Sequence, residues 1–143
     1  MQAQNPYAPP VADVDDANRE ISDIDSLPVS QTWKDRFKVI VRAGGAKLPH
    51  LKSLPANERR KASFNVLAFL FGPFYYMAKG MWKRGMALFA VCVLAVVILS
   101  LILDYFGYGS LSRSLGYGVG AVFAVRANID YYKKVVIKDT GWW

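Results

Sequence analysis

Hydrophobic positions are sparse for the first sixty residues of the chain and dense after Ser63, and three apolar segments stand out in that second part. Residues 86–104 form an apolar run, uncharged through Leu103 and ending on Asp104, that is long enough to cross the hydrocarbon core of a bilayer. Residues 112–130 form another, interrupted late by Arg126 and Asn128. The first segment, residues 63–79, is too short to cross and carries Gly72-Pro73 near its middle, where a helix must break. Upstream, Trp33, Phe37, Ile40 and Val41 recur at i, i+4, i+7 and i+8, the spacing of one helix face, and Gly44-Gly45 ends that helix. The pattern predicts an all-α membrane protein with a re-entrant or interfacial helical hairpin at 63–79 and two transmembrane helices at 86–104 and 112–130. An amphipathic helix and a basic linker over residues 31–62 precede them, and residues 139–143 form a C-terminal tail.

Charge sharpens this picture. Residues 1–30 carry Asp13, Asp15, Asp16, Glu20, Asp23 and Asp25 against Arg19, with three prolines near the start, and are expected to form a disordered acidic tail. That segment carries about −5, so the remainder carries about +12 of the total of +7. If all three apolar segments crossed with the N-terminus inside, Lys79, Lys83, Arg84, Lys133, Lys134 and Lys138 would lie outside, against the positive-inside rule. If residues 63–79 enter and return on one side, Arg113 alone among the basic residues lies outside, beside Asp104. Both termini are then cytoplasmic. The first residues, MQAQNPYAPP, lack the basic start and apolar stretch of a secretory signal peptide, so insertion is expected to rely on the internal segments.

Amphipathic helix 31–42 fits two settings, lying on anionic lipid headgroups through Trp33, Phe37, Ile40 and Val41, or packing that face on the protein's own membrane domain. Ser112, Gly116, Gly120 and Ala124 recur every fourth residue and form a small-residue face suited to close helix packing, first of all between the two spans. The aromatics Phe74, Tyr75, Tyr76, Trp82, Tyr105, Phe106, Tyr108, Tyr131 and Tyr132 sit at segment ends, as interfacial anchors do.

Little in the chain suggests chemistry. There is one cysteine, Cys92, within an apolar run, and one histidine, His50, beside Pro49 in a linker, so neither a disulfide framework nor metal-ligand spacing is present. No catalytic residue, cofactor or metal is expected, and no nucleic-acid partner. Asn65, Arg126, Asn128 and Asp130 are the candidates for a polar intramembrane site, because polar groups in apolar segments often mark function. The plain alternative for Arg126 is pairing with Asp130 at i+4 while its long side chain reaches the interface.

The block Phe64-Asn65-Val66-Leu67-Ala68-Phe69-Leu70-Phe71-Gly72-Pro73-Phe74-Tyr75-Tyr76, followed by Gly80-Met81-Trp82-Lys83-Arg84-Gly85, resembles a bacterial family of small inner-membrane proteins of unknown function, the YigF-like and YigG-like proteins. Trp33-Lys34-Asp35-Arg36-Phe37 and Ala127-Asn128-Ile129-Asp130-Tyr131-Tyr132 extend the resemblance over roughly residues 33–138, leaving the acidic tail outside it. The resemblance implies a multi-pass location in the bacterial inner membrane and no assigned reaction. The expected role is a non-catalytic, membrane-embedded interaction or adaptor protein, with anionic lipids, an unidentified protein and a second copy of the chain as its partners. A small transport or channel subunit and an immunity-type membrane protein are the alternatives.

Overall fold

The structure, a computed structural model, describes the backbone from Val11 and side chains from Asp15 onward; the first ten residues of the expected acidic tail lie outside the described residues. Helices make up the described chain, with no strand among the described residues. It divides into two compact units, one ending at Arg59 and the other running from Arg60 to Trp143.

In the first unit, α1 (Val11–Ser26) packs against α2 (Gln31–Arg42). The acidic segment is therefore ordered from Val11 onward rather than a disordered tail. The physical reason is a thin apolar stripe among the acids, in which Ala17, Ile21 and Ile24 recur at i, i+4 and i+7 and Ile24 is fully buried. Electrostatics adds to it, since Lys38 Nζ lies 2.7 Å from Asp25 Oδ1 and Lys34 donates to the Asp25 carbonyl at 2.7 Å. On α2 the face predicted to meet lipid is covered: Trp33, Phe37, Ile40 and Val41 are all buried. Arg36 sits over the Trp33 ring at 4.9 Å, and Trp33 meets Phe37 at 5.6 Å between ring centres. An amphipathic pattern says only that one side leaves water, and here protein takes the place assigned to headgroups. Gly44, with φ 93°, ends α2 in the left-handed region, where Pro49 packs so closely that any side chain would collide.

α3 (Ala56–Ser63) leads into the second unit, which contains α4 (Val66–Phe71), α5 (Pro73–Ala78), α6 (Trp82–Tyr105), α7 (Gly109–Ser112) and α8 (Leu115–Val135). The chain breaks between α4 and α5 at Gly72, whose φ of 48° suits glycine, and Pro73 opens α5 at the position where its missing N–H costs nothing. α6 has 24 residues, an 18-residue stretch of it has a mean hydropathy of 3.1, and it is the one helix among the described residues long and apolar enough to cross a membrane. Only 11% of its apolar stretch is buried. α8, predicted as the second span, does not meet that measure by its own apolar surface: from Leu115 its apolar stretch runs about 16 Å before Arg126, roughly half a hydrocarbon core. Ser112 is not part of that helix either, because it belongs to α7 and hydrogen-bonds the Gly109 carbonyl.

The core of this unit is built by close approach. α4 packs on α8, α5 on α6, and α6 on α8. A Cβ on Gly120 would lie 2.8 Å from the Phe69 carbonyl oxygen, and one on Gly85 would lie 2.7 Å from Tyr76 Cβ. The small face of α8 thus receives α4 at Gly120 and Ala124, rather than serving α6 first; Gly116 has open space where a side chain would stand. Tyr76 meets Phe123 edge to face at 5.3 Å. Tyr75, Tyr76 and Tyr132 are buried and so are not interfacial anchors, whereas Phe74, Trp82, Tyr105, Phe106 and Tyr108 are exposed.

Two glycines two residues apart test this packing. Gly120→Ala drives a methyl group into the Phe69 backbone and is expected to cost about 1 to 3 kcal/mol, read as a lower thermal midpoint of helicity in detergent. Gly118→Ala, where nothing lies within 4 Å, is expected to leave the midpoint unchanged or raise it slightly.

Candidate functional site

Polar side chains gather in two adjoining groups where α4, α5, α6 and α8 meet. The first begins at Asn65, the residue that caps α4. Its Oδ1 accepts from the Ala68 amide at 3.2 Å, satisfying one of the helix's free N–H groups, and its own backbone N–H donates to the Ala124 carbonyl at 3.0 Å. That leaves the side-chain NH2, which donates to Tyr75 Oη and to Asn128 Oδ1, both at 2.9 Å. Asn128 in turn donates to the carbonyls of Lys61 at 2.9 Å and Phe64 at 3.1 Å. The two carboxamides join the end of α3, both halves of the broken hairpin and α8, and both are buried.

The second group centres on Asp130, which is 2% exposed. Its Oδ2 accepts from Tyr76 Oη at 2.8 Å and lies 3.6 Å from Arg126 Nε. Its Oδ1 is buried without a hydrogen-bond partner. Arg84, in the first turn of α6 and 4% exposed, donates through Nη1 to the Asp130 backbone carbonyl at 2.9 Å and places Nη2 2.9 Å from Asp139 Oδ2. Arg126 is different in character: its side chain is 41% exposed, so the guanidinium reaches outward while its partner stays inside. Asp139 is held ionised below the ordinary carboxylate range, chiefly by the Gly141 amide that donates to it and further by Arg84 and Lys133.

The four residues marked from sequence therefore fall into two pairs, Asn65 with Asn128 and Arg126 with Asp130. Sequence reading missed Tyr75, Tyr76, Arg84 and Asp139. Arg84 reads as one cation of a basic turn, and the one local sign of its burial is the adjacent Gly85, a small residue inside a helix where another element approaches. His50 is exposed in its loop, and among the described residues no group of three or more His, Cys, Asp or Glu side chains could hold a metal ion. The chemistry available is that of a clamp. Apart from Arg84 Nε and Nη2 and Asp130 Oδ1, the buried donors and acceptors are spent on one another and on backbone groups, and the two arginines balance two carboxylates.

Residues 22–136 match the sequence profile of a family described as a protein of unknown function, DUF2628, and the chain belongs to that family. The match carries no identification with YigF-like or YigG-like proteins. It also takes in residues 22–30, the end of α1 and the turn after it, which the earlier resemblance left outside. No curated protein and no solved structure matches the chain.

Replacing Asn128 by leucine keeps the branching and the number of heavy atoms but removes the acceptor for Asn65 and the donor shared by the Lys61 and Phe64 carbonyls. Asn128→Leu is expected to lower unfolding stability by about 1 to 3 kcal/mol. Combined with Asn65→Leu, the loss should fall short of the sum of the single losses, since the two share a bond; strict additivity in a denaturant series would contradict the coupling.

Proposed function

We propose that this chain is a bacterial inner-membrane protein of multi-pass topology, acting without catalysis as an adaptor that holds a protein partner at the cytoplasmic surface. The observation that carries this reading is α6: a 24-residue apolar helix with its side chains turned outward, Leu94 being 62% exposed. Water would make such a surface costly, and hydrocarbon would not. The same holds for Val66, Leu70 and Phe71 on α4 and Phe74 and Met77 on α5, all exposed. An open groove of about 680 Å³ between the hairpin, α6 and α8, lined by Phe69, Phe74, Met86 and Phe123, gives acyl chains a further place to fill.

In this reading α6 crosses outward, α8 returns, and the α4–α5 hairpin enters and leaves on the cytoplasmic side. The hairpin supplies apolar cover beside the polar half of α8, which lacks the length of apolar surface to stand alone in lipid. The irregular backbone at Gly72-Pro73 is tolerable at that depth because α8 lies beside it, with Phe123 3.9 Å from where a Gly72 side chain would begin. Both termini are cytoplasmic. The adaptor part of the proposal rests on α1, whose Asp15, Asp16, Asp23 and Asp25 are exposed and offer a helical acidic surface to a basic partner. A channel role finds less support, because Asn65 and Asn128 use their hydrogen-bonding capacity on each other.

Topology is tested by a reporter active only outside the cytoplasm. Fused after Trp143 it should stay silent, and inserted after Tyr108 it should be active; activity at Trp143 would overturn the two-crossing reading. Leu94→Arg, mid-α6, should weaken insertion by about 2.5 to 3.5 kcal/mol and shift the protein from the alkali-resistant membrane fraction.

The adaptor reading makes a separate demand. Partners recovered from mildly solubilised membranes should be lost when Asp15, Asp16, Asp23 and Asp25 are changed to Asn together, and regained at low salt less readily than with the parent chain. Unchanged recovery would refute a role for that surface.

A further inference from the structure

The start of α6 carries a feature that the clamp does not use. A cavity of about 110 Å³ opens there, lined by Gly80, Trp82, Lys83, Arg84, Lys134 and Asp139 among others. No side chain caps this 24-residue helix, so its first N–H groups have no capping acceptor. Arg84, 4% exposed, has a buried Nε with no hydrogen-bond partner, and its Nη2 meets Asp139 as an ion pair at 2.9 Å without forming an aligned hydrogen bond. Lys134 reaches over from α8, its ammonium 2.7 Å from the Lys79 carbonyl and 2.6 Å from where a Gly80 side chain would begin, a space that glycine at φ 66° leaves open.

Charge is unbalanced in this cavity. Lys83, Arg84 and Lys134 contribute three cations and the helix start adds a partial positive charge, against the single carboxylate of Asp139. Asp139 also arrives by an unusual route. The segment after α8 turns back through Lys138, a non-glycine residue at φ 62°, and is held by Trp142 packed edge to face on Trp82 at 5.7 Å. A strained turn that delivers one carboxylate to a helix start rich in cations resembles an internal stand-in for an external anion.

We propose that this cavity binds a phosphate group, either free or on a lipid headgroup, and that Asp139 occupies the site until phosphate displaces it. The claim is independent of the topology and adaptor readings, since it concerns only residues lining one cavity of the second unit. An internal competitor lowers apparent affinity by the fraction of molecules it holds closed. Removing its charge should therefore tighten phosphate binding, while a residue that only stabilised the fold would not have that effect.

The test uses the full chain in maltoside micelles, titrated with inorganic phosphate, with short-chain phosphatidic acid, and with a short-chain fatty acid as a carboxylate control. Tryptophan fluorescence reports the Trp82–Trp142 contact, and far-UV circular dichroism confirms that each variant is folded. Asp139→Asn should bind phosphate about tenfold more tightly than the parent, and Lys83→Gln and Lys134→Gln should each weaken binding by about fivefold. Arg84 is left unchanged because it also holds Asp130. Saturation by inorganic phosphate identifies the free oxyanion as sufficient, and saturation by phosphatidic acid alone identifies the lipid headgroup; both support the site. The proposal is overturned if neither phosphate form binds, if the fatty acid binds as well as phosphatidic acid, or if Asp139→Asn leaves affinity unchanged.

Discussion

A carboxamide has two donors and an acceptor with two lone pairs, and burying one among apolar helices is tolerable only when these are matched. In this fold the requirement is met by a single bond between two such groups, Asn65 Nδ2 to Asn128 Oδ1, with backbone groups taking up most of what remains. The consequence is geometric. Asn65 can cap α4 and reach Tyr75 on α5 at once only if the chain reverses sharply between them, as it does at Gly72-Pro73. Asn128 can reach the end of α3 only if α8 lies alongside the hairpin. Position after position in the second unit follows from satisfying these two side chains.

The glycines make that proximity possible. Gly120 admits the Phe69 backbone and Gly85 admits Tyr76, and in both places the addition of one methyl group would separate the elements that the polar bonds join. Packing and hydrogen bonding are therefore not separate contributions here. Tyr76 shows the link most directly, since the ring that packs against Gly85 and Phe123 carries the hydroxyl that donates to Asp130. A buried carboxylate needs such a donor, and Asp130 also draws on the field of Arg126.

How far the sequence discloses this structure depends on the kind of signal. The all-helical character, the break at Gly72-Pro73 and the long apolar α6 are local properties of composition and chain stiffness, and they can be read directly. The face of α2 is equally visible, but periodicity records departure from water and not what replaces it; lipid and α1 leave the same mark. α1 itself was obscured because six acids outweigh Ala17, Ile21 and Ile24 in any average, although three well-spaced apolar residues suffice when a basic helix is available to pair with. Residues 65 and 128 stand out as polar groups in apolar segments, yet nothing along the chain states that they meet each other. Arg84 is the furthest from legible, since its burial depends on Asp139, distant in sequence, folding back toward it.

The two polar groups also differ in how completely they are satisfied, and that difference bears on function. Around Asn65 and Asn128 the bonds close on themselves, the condition of a structural joint. Around Arg84 and Asp130 they do not: Nε of one and Oδ1 of the other are buried without hydrogen-bond partners, and Arg84 leans on a carboxylate that is 42% exposed. Evolution tolerates incomplete satisfaction of buried charge mainly where something else completes it or where the strain has a use. The closed joint thus holds the hairpin to α8, and the open one, at the start of α6, is where a ligand or a change in the C-terminal segment can act on the fold.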